Sequence, residues 1–498
     1  MEFASVTFIW VFLPSCLILF YLLYLVQEPN HRISAQNVLL LVFSFVFYLW
    51  GGVYALLLFL CMILFNYGAG IWIDCFSGEE DVFKKSRKGV FVAAVLGNLL
   101  LLCFFKYFNI LWSFARIIVG PKEGLKSFII DIMKCDGSNG TRRIGLPLAI
   151  SFVVFQSISY LADVYKRKIQ AEKSLLSFAL YLSFFAQLVQ GPIMRYEILG
   201  KQIKDRTPSV ELFGDGVKRF CYGLGKKVII ANTIAIASDR IWGLDLSQIC
   251  TAEAWIGVLL YSLQIYYDFS GYSDMAIGIG KMFGFSLSEN FNYPYTSSSI
   301  QEFWRRWHMT LSFWFRDYLY IPLGGNRKGL RRTLFNLFVV FLATGIWHGA
   351  NLTFVVWGVW FAFLSIIERL FLGNLLSKNP IKFINWLYTI FAVSFGWVFF
   401  RSPHLYHAYK YIKVMFMGVP EQLGTSIASY FNADLIIAVV FGILLSGMIQ
   451  RLVQPVYQKA KHVLLVKAIE IVLPLTIFGW SLLLLLSGSY NPSIYGAF

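Results

Sequence analysis

Charged residues are scarce in this chain, and their scarcity excludes an ordinary soluble protein. Only 14% of its 498 residues are Asp, Glu, Lys or Arg, whereas 58% are hydrophobic and 18% are aromatic. A soluble protein carries charge on about a quarter of its residues, because that charge keeps its surface in water. Most of this chain is therefore expected to face an apolar phase.

Cysteine and histidine are also rare. The seven cysteines are scattered without CxxC pairs or metal-ligand spacing, so they predict neither a redox motif nor a metal site. Of the six histidines, His308 and His348 lie in the segment 301–350, which is largely apolar. An ionisable group inside a membrane protein is costly to keep without a use. These two histidines are therefore candidates for chemistry.

Long apolar runs fill most of the remaining sequence. Several approach the length of about 20 residues that crosses a bilayer as a helix, and shorter ones are interrupted by Gly or Pro. The shorter runs predict re-entrant or half helices shielded inside the protein. Together they predict an all-α polytopic membrane protein with roughly eleven to thirteen membrane-embedded helices. No boundary typical of soluble domains is visible, so we expect one membrane domain over residues 1–498.

The net charge of +16 is typical of a nucleic-acid-binding protein until its distribution is considered. Basic residues cluster in short segments between apolar runs, which is the positive-inside pattern of membrane proteins. We therefore place these segments on the cytoplasmic side, expect membrane lipids as partners, and expect no nucleic acid. An anionic cytoplasmic substrate stays open as a second use for some of the cations. The clusters are Lys84–Lys88, Lys166–Lys168, Lys218–Lys227 and Arg327–Arg332.

Polar residues interrupt the apolar runs at Gln187, Asp268, Tyr272 and Asp274. Polar groups on successive helical turns cannot all face lipid, so they need partners or a cavity. They either line a water-accessible passage or hydrogen-bond across a helix–helix interface. Composition favours the passage only slightly. We treat these residues as candidate substrate-binding residues.

The segment 301–350 reads QEFWRRWHMTLSFWFRDYLYIPLGGNRKGLRRTLFNLFVVFLATGIWHGA. Helical spacing in its first part predicts one face that carries Trp304, His308 and Phe315, so that His308 packs beside aromatic rings. A Gly-rich basic turn follows at Leu323–Arg327. The next apolar run carries His348 across most of a bilayer leaflet or more, at about 1.5 Å per residue.

Both histidines have two interpretations. A neutral imidazole in an apolar, water-poor site can act as a general base toward a hydroxyl or thiol. The competing interpretation is a histidine that only packs between helices. For His308 the two interpretations are about equally supported, whereas Gly345 and Gly349 are expected to leave space for a substrate beside His348.

Several long blocks follow one another in a recognisable order: LPLAISFVVFQSISYLADVYK (Leu146–Lys166), AQLVQGPI (Ala186–Ile193), GLGKKVIIAN (Gly223–Asn232), YYDFSGYSDMAIG (Tyr266–Gly278), FWRRWHMTLSFWFRDYLYIPLGGNRKG (Phe303–Gly329) and TGIWHGAN (Thr344–Asn351). With these blocks, nearly the whole chain resembles the membrane-bound O-acyltransferase family, and within it the bacterial alginate O-acetylase branch. The resemblance implies a ring of transmembrane and re-entrant helices around a central funnel or tunnel. It places the family's hallmark histidine at His348 and a second, more variable polar position at His308.

The candidate site is built around these two histidines. We expect His348 to be catalytic and His308 to support it as a second catalytic residue. Further candidate substrate-binding residues in the same segment are Trp304, Arg305, Trp307, Arg316, Asp317 and Trp347. No metal site is expected.

The resemblance implies an O-acyltransferase in the bacterial cytoplasmic membrane. The expected acyl group is acetyl, with acetyl-coenzyme A as the donor and no tightly bound cofactor. The donor is expected at a basic cytoplasmic mouth near Arg305–Arg332, and His348 is expected to promote transfer to a hydroxyl that enters from the outer side. In this branch an extracytoplasmic partner transferase receives the acyl group and modifies a polysaccharide.

Three alternatives stay open. A D-alanyl transfer protein would take its donor from a carrier protein and leave D-alanyl esters on the cell envelope. A lipid-modifying or protein-palmitoylating relative would need a long apolar acyl pocket. A transporter would use a polar passage without bond chemistry, and its transport would not depend on His348.

Overall fold

Every regular element in the described part of the chain is a helix, as the sequence predicts. The computed structural model describes residues 2–76, 81–119, 146–418, 427–460, 462–488 and 490–492. They form two compact units, one of Met1–Asp215 with Ile279–Ser288, the other of Gly216–Gly278 with Glu289–Phe498. The single domain expected from the sequence stays a prediction.

The first unit is organised around one fully buried helix. Its helices are α1 (Leu13–Leu22), α2 (Pro29–Leu49), α3 (Val53–Cys75), α4 (Asp81–Val119), α5 (Ile150–Tyr165), α6 (Leu175–Ser183) and α7 (Tyr196–Lys204). Every residue of α5 from Ile150 to Val164 is buried, and this helix packs on both α3 and α4. Asn66 on α3 and Asn98 on α4 exchange amide hydrogen bonds of 3.2 and 2.7 Å. Such polar pairs join helices where lipid offers no hydrogen-bond partner.

The second unit begins within a helix and carries both candidate histidines. Its helices are α8 (Val210–Gly225, from Gly216), α9 (Asn232–Trp242), α10 (Thr251–Met282, to Gly278), α11 (Ile300–Arg306), α12 (Met309–Phe315), α13 (Leu330–His348), α14 (Leu352–Ile367), α15 (Gly373–Lys378), α16 (Lys382–Arg401), α17 (Leu405–Met417), α18 (Ala433–Ile443), α19 (Ile449–Ala460) and α20 (Leu464–Leu486). Several are extended by π-helical turns, among them Arg316–Tyr320 and Glu368–Leu372.

A tight helical hairpin positions His348. Helices α13 and α14 lie against each other along their lengths and are joined by a short turn after His348. A Cβ atom on Gly358 would lie 2.5 Å from the backbone oxygen of Phe341, and one on Gly345 would strike that of Phe354. Glycine is therefore required at both positions for the two backbones to approach so closely. The expectation that Gly345 and Gly349 leave space for a substrate was wrong, because Phe354 occupies the space beside both. The hairpin fixes the end of α13, and with it the imidazole of His348.

The helices confirm a multi-pass membrane protein. Within the ranges that the structure describes, nine helices are long and apolar enough to cross a membrane, or up to ten if the bent pair Ala433–Met448 and Leu452–Ala460 is one span. The apolar helices Ile150–Tyr165 and Leu175–Gln187 are shorter than a crossing requires. The expected total of eleven to thirteen embedded helices and their ring around a funnel stay predictions.

Candidate active site

His308 lies at a break between two short helices. Helix α11 ends at Arg306, and His308 starts α12 in the left-handed conformation, with φ 43° and ψ 53°. The prediction of one continuous helix face through Trp304, His308 and Phe315 was therefore wrong. Backbone bonds to another segment replace the helical ones, since Met309 N–H donates to the Asn290 oxygen at 2.9 Å. Holding a non-glycine residue in this conformation costs about 1–3 kcal/mol of conformational free energy, and such residues are often found at functional sites.

The His308 imidazole is held in a buried, apolar setting outside the candidate membrane spans. The residue is only 1% exposed, and its ring meets that of Phe269 edge-on, with 4.7 Å between centroids. Its Nδ1 atom lies 3.0 Å from Asn290 Oδ1, while Nε2 has no hydrogen-bond partner in the described part of the chain. Burial lowers the pKa of this imidazole from 6.5 to about 3, so the ring is neutral near pH 7.

The lowered pKa predicts a specific loss of stability in acid. In the folded protein His308 resists protonation, whereas in the unfolded chain it protonates below its ordinary pKa of 6.5. As pH falls from about 6.5 toward 3, the unfolded state gains a proton that the folded state does not. The free energy of unfolding should then fall by about 1 kcal/mol per pH unit from this group.

Thermal unfolding in detergent at pH values from 7 to 5 tests this dependence. Replacing His308 with glutamine removes the titrating group while leaving the other histidines in place. Wild type should lose more stability on acidification than the variant, and above pH 6.5 the two stability curves should run parallel. Parallel curves throughout the acid range would contradict a neutral, buried His308.

His348 ends α13 inside a cluster of aromatic rings. It is 7% exposed, and its ring centroid lies 5.0 Å from that of Trp357 and 5.2 Å from that of Phe400. The Trp347 indole lies 4.8 Å from His348 and 6.5 Å from His308, so one indole contacts both imidazoles. The structure thus brings together both predicted catalytic residues and the predicted binding residue Trp347. An imidazole in such a water-poor setting can take a proton from a hydroxyl.

The predicted binding residues Trp304 and Trp307 belong to the same aromatic cluster. The Trp304 ring meets Trp357 edge-on at 5.6 Å, and the Trp307 ring lies 5.1 Å from that of Trp397. Trp304 also packs against Phe361, at 4.9 Å. These rings exclude water around the histidines, which strengthens any electrostatic interaction there. Their contact with a substrate stays a prediction.

The acidic residues predicted from α10 are engaged in ion pairs. Asp274 accepts from Arg219 and from Lys226, each at 2.6 Å. Asp268 pairs with Lys227, and both side chains are less than 10% exposed. Tyr272, on the same helix, is also buried. These contacts favour a polar helix–helix interface over a passage, and the predicted binding roles of these residues stay predictions.

Arg305 lines a polar cavity of about 480 Å³ in the second unit. The carboxylates there are already engaged. Glu368 accepts from the backbone N–H groups of Ile300 (2.6 Å) and Gln301 (3.0 Å), and Glu302 pairs with Arg306 at 2.7 Å. Among the described residues neither Arg305 nor Arg369 forms a salt bridge, although Arg305 interacts electrostatically with Glu368. Residues that line the cavity include Ser298, Ser299, Glu302, Arg305, Glu368, Arg369, Asn374, Ser377, Lys382 and Asn385.

The remaining predicted binding residues have contacts of their own. Arg316 and Asp317 form an ion pair at 2.7 Å with the Arg316 side chain about half exposed, a type worth about 0–1 kcal/mol. Gln187 belongs to the first unit, where its amide donates to the backbone oxygen of Tyr181. The roles proposed for these three residues in substrate binding stay predictions.

The family assignment follows from a match to residues 150–409, more than half of the chain. The matching model is that of MBOAT, the membrane-bound O-acyltransferase family, and the matched range contains both histidines and the α13–α14 hairpin. The chain belongs to this family. As a membrane-bound O-acyltransferase it is an enzyme that transfers acyl groups to hydroxyl oxygens, and the resemblance noted in its sequence is confirmed.

The chain is also similar to several proteins whose names state an acetyl or D-alanyl transfer activity. The enzyme is 42% identical to "Probable alginate O-acetylase AlgI" of Pseudomonas putida over 84% of this chain and 80% of that protein. It is 34% identical to a peptidoglycan O-acetyltransferase of Helicobacter pylori over 82% and 78% of the two chains. A teichoic acid D-alanyltransferase of Bacillus subtilis is 28% identical over 45% of this chain and 59% of its own. These relatives are bacterial, which is consistent with an inner-membrane location.

Some residues of the candidate site were not singled out from the sequence. Asn290 lies 18 positions before His308 and follows no motif, and Phe400 is one aromatic among many in an apolar run. Only packing brings Phe400 onto His348 and Asn290 onto His308. Within the described ranges, no three His, Cys, Asp or Glu side chains come together as a possible metal site.

Proposed function

We propose that this O-acyltransferase moves an acetyl group from acetyl-coenzyme A, a cytoplasmic thioester, across the membrane for O-acetylation of an extracytoplasmic polysaccharide. The observation that carries the proposal is the pair of buried imidazoles, His308 and His348, whose rings lie 6.5 and 4.8 Å from the Trp347 indole. Similarity to an alginate O-acetylase and a peptidoglycan O-acetyltransferase supports acetyl as the acyl group.

The chemistry assigned to His348 is general-base catalysis. Its imidazole takes the proton of the acceptor hydroxyl as the hydroxyl oxygen attacks the thioester carbonyl carbon. The carbon–sulfur bond then breaks, and the proton passes to the departing thiolate, which leaves as the free thiol. The surrounding aromatic rings keep water out, so that transfer to the acceptor is favoured over hydrolysis of the thioester.

His308 has a supporting role in this scheme. It is neutral, its Nδ1 is occupied by Asn290, and its ring contacts the same indole as His348. We therefore assign to it the positioning of the donor or acceptor beside His348. No tightly bound cofactor is required, because the thioester itself supplies the activated acyl group.

The remaining partners follow from the direction of transfer. The positive-inside pattern supports a cytoplasmic location of Arg305–Arg332, where we propose that the donor enters. The acetyl group is then received outside by a partner transferase, which passes it to the polysaccharide. Supplying isotope-labelled acetyl-coenzyme A to sealed inside-out vesicles tests this order. Labelled acetyl esters should appear on an acceptor inside the vesicles, and label that never leaves the donor side would overturn the proposal.

D-alanyl transfer is the second candidate function, because the Bacillus subtilis relative is named a teichoic acid D-alanyltransferase. That relative matches less than half of this chain, whereas the two O-acetyl-transferring relatives match more than four fifths of it. Mass spectrometry of envelope polymers from cells with and without the enzyme distinguishes the two functions. Acetyl esters that depend on the enzyme are expected, whereas D-alanyl esters would support the second function.

The cavity beside Arg305 provides a prediction about donor binding. Arg305 and Arg369 are not committed to salt bridges, so they can bind the phosphates of acetyl-coenzyme A. Replacing both with glutamine should raise the KM for acetyl-coenzyme A by about 10- to 100-fold, with a smaller change in kcat. Lys378→Gln is the matched control, since it removes a nearby positive charge that does not line the cavity. An equal rise in KM for the control would indicate that the two arginines act only through long-range electrostatic attraction of the donor.

A further inference from the structure

Asn290 is buried and contacts His308 through its side-chain oxygen. Its Oδ1 lies 3.0 Å from His308 Nδ1 and also accepts from the Thr310 hydroxyl at 2.9 Å and the Thr310 backbone N–H at 3.4 Å. Its Nδ2 donates to Ser273 Oγ at 3.0 Å. We infer that Asn290 is a positioning residue that holds His308 as the tautomer with its proton on Nδ1, so that Nε2 serves only as a hydrogen-bond acceptor.

The orientation of the Asn290 amide follows from its neighbours. A hydroxyl group can donate or accept, but the backbone N–H of Thr310 can only donate. The Asn290 atom that faces Thr310 N must therefore be the oxygen. The same oxygen faces His308 Nδ1, so this nitrogen must carry the proton for the contact to be a hydrogen bond. A neutral imidazole has only one ring proton, which leaves Nε2 with its lone pair.

The Nε2 atom of His308 is buried and has no partner in the described part of the chain. An unsatisfied buried acceptor destabilises the fold, so its retention needs an explanation. A substrate N–H or O–H that donates to Nε2 supplies one, and this step rests on the proposed acyl transfer. Because Nε2 carries no proton, His308 cannot donate to the oxyanion of a tetrahedral intermediate. Its contribution is to orient a donating group of the bound substrate.

The backbone around His308 supports the same arrangement. The Asn290 backbone oxygen accepts from Met309 N–H at 2.9 Å, and Asn292 N–H donates to the Arg306 oxygen at 2.9 Å. These bonds tie the segment that carries Asn290 to both sides of His308 and hold its left-handed conformation. The side-chain contact therefore joins two segments whose backbones are already fixed, which limits rotation of the ring.

Nitrogen-15 NMR of the enzyme with labelled histidine reports the tautomer directly. The His308 signals are identified by their loss in His308→Gln, and they should show a protonated Nδ1 and a bare Nε2. Asn290→Asp keeps an oxygen acceptor and should preserve this tautomer, whereas Asn290→Leu removes the acceptor and should abolish the preference. A wild-type spectrum with the proton on Nε2 would overturn the inference, as would an unchanged tautomer in Asn290→Leu.

Kinetics provide the second arm of the test. Asn290→Leu should lower kcat for acetyl transfer by at least about 10-fold with little change in KM, since a histidine in the wrong tautomer binds substrate but orients it poorly. Asn290→Asp should restore most of kcat. Ser273→Ala, which removes the acceptor at Asn290 Nδ2 and leaves the contact at Oδ1 in place, should keep the wild-type tautomer. If Asn290→Leu does not fold, the spectra of wild type, Asn290→Asp and Ser273→Ala still show whether the proton of His308 is on Nδ1.

The two arms separate this inference from the proposed function. The NMR signals do not depend on turnover, so a protein that transfers no acetyl group can still show the predicted tautomer. That result would overturn the proposed function and leave the role of Asn290 intact. An active enzyme with the proton on His308 Nε2 would overturn the role of Asn290 and leave the proposed function intact.

Discussion

Replacing His348 with alanine is expected to lower the rate of acetyl transfer by about 10²- to 10⁴-fold, the usual contribution of a general base. The imidazole is the only proton acceptor assigned to the hydroxyl, and it lies in a water-poor cluster where solvent cannot easily replace it. Trp357 and Phe400 both pack edge-on against its ring. Steady-state transfer of labelled acetyl groups in vesicles measures the loss.

The His348 variants need controls for folding, because deletion of a buried ring leaves a cavity. His348→Gln keeps most of the volume without a base of similar strength, so it should be as inactive as the alanine variant. His31→Ala is the surface control, since this histidine is exposed and its Nδ1 lies 2.8 Å from the Glu28 carboxylate at the surface. Thermal unfolding and membrane insertion should resemble those of wild type in His348→Gln. Retained transfer in that variant would show that another group removes the proton.

Breaking the buried pair between Lys227 and Asp268 is expected to have the largest effect on stability. Both side chains are less than 10% exposed, and Lys227 also donates to the backbone oxygen of Pro492. Removal of one partner leaves the other charge buried without this counter-charge. Asp268→Ala or Lys227→Met alone should therefore lower the free energy of unfolding by about 3–5 kcal/mol.

A double variant distinguishes this explanation from simple loss of packing. Lys227→Met combined with Asp268→Leu removes both charges and should recover much of the lost stability. Lys84→Gln is the control, because the Lys84–Asp81 pair is largely exposed and should contribute less than about 1 kcal/mol. Denaturation in detergent measures the free energy of unfolding of each of these proteins. A double variant as unstable as the sum of the single variants would argue against a role for charge compensation.

The Lys227–Asp268 pair also changes the interpretation of α10. Tyr, Gln and Asp residues on successive turns suggested a water-accessible passage, with a polar helix interface as the alternative. The structure pairs Asp268 and Asp274 with lysine and arginine side chains of the same unit. Sequence alone could not choose, because the partners lie on other parts of the chain, more than 40 positions away.

The sequence by itself determined the class of this protein. Its low charge, apolar runs and basic loops are properties of composition and spacing, and they require a multi-pass membrane protein wherever the helices pack. Its ordered motif blocks identified the O-acyltransferase family and directed attention to His308 and His348. These features are local in sequence, so they could be read before any tertiary contact was known.

Only the tertiary structure decided how the two histidines are held. The left-handed turn at His308 depends on backbone bonds from Asn290 and Asn292, and these override the helical spacing of the segment. The ring contacts of His348 with Phe400 join parts of the chain that no periodicity relates. The protonation state and the orientation of an imidazole depend on burial and on its hydrogen-bond partner. Both are set by packing between distant segments, which the sequence of either segment does not contain.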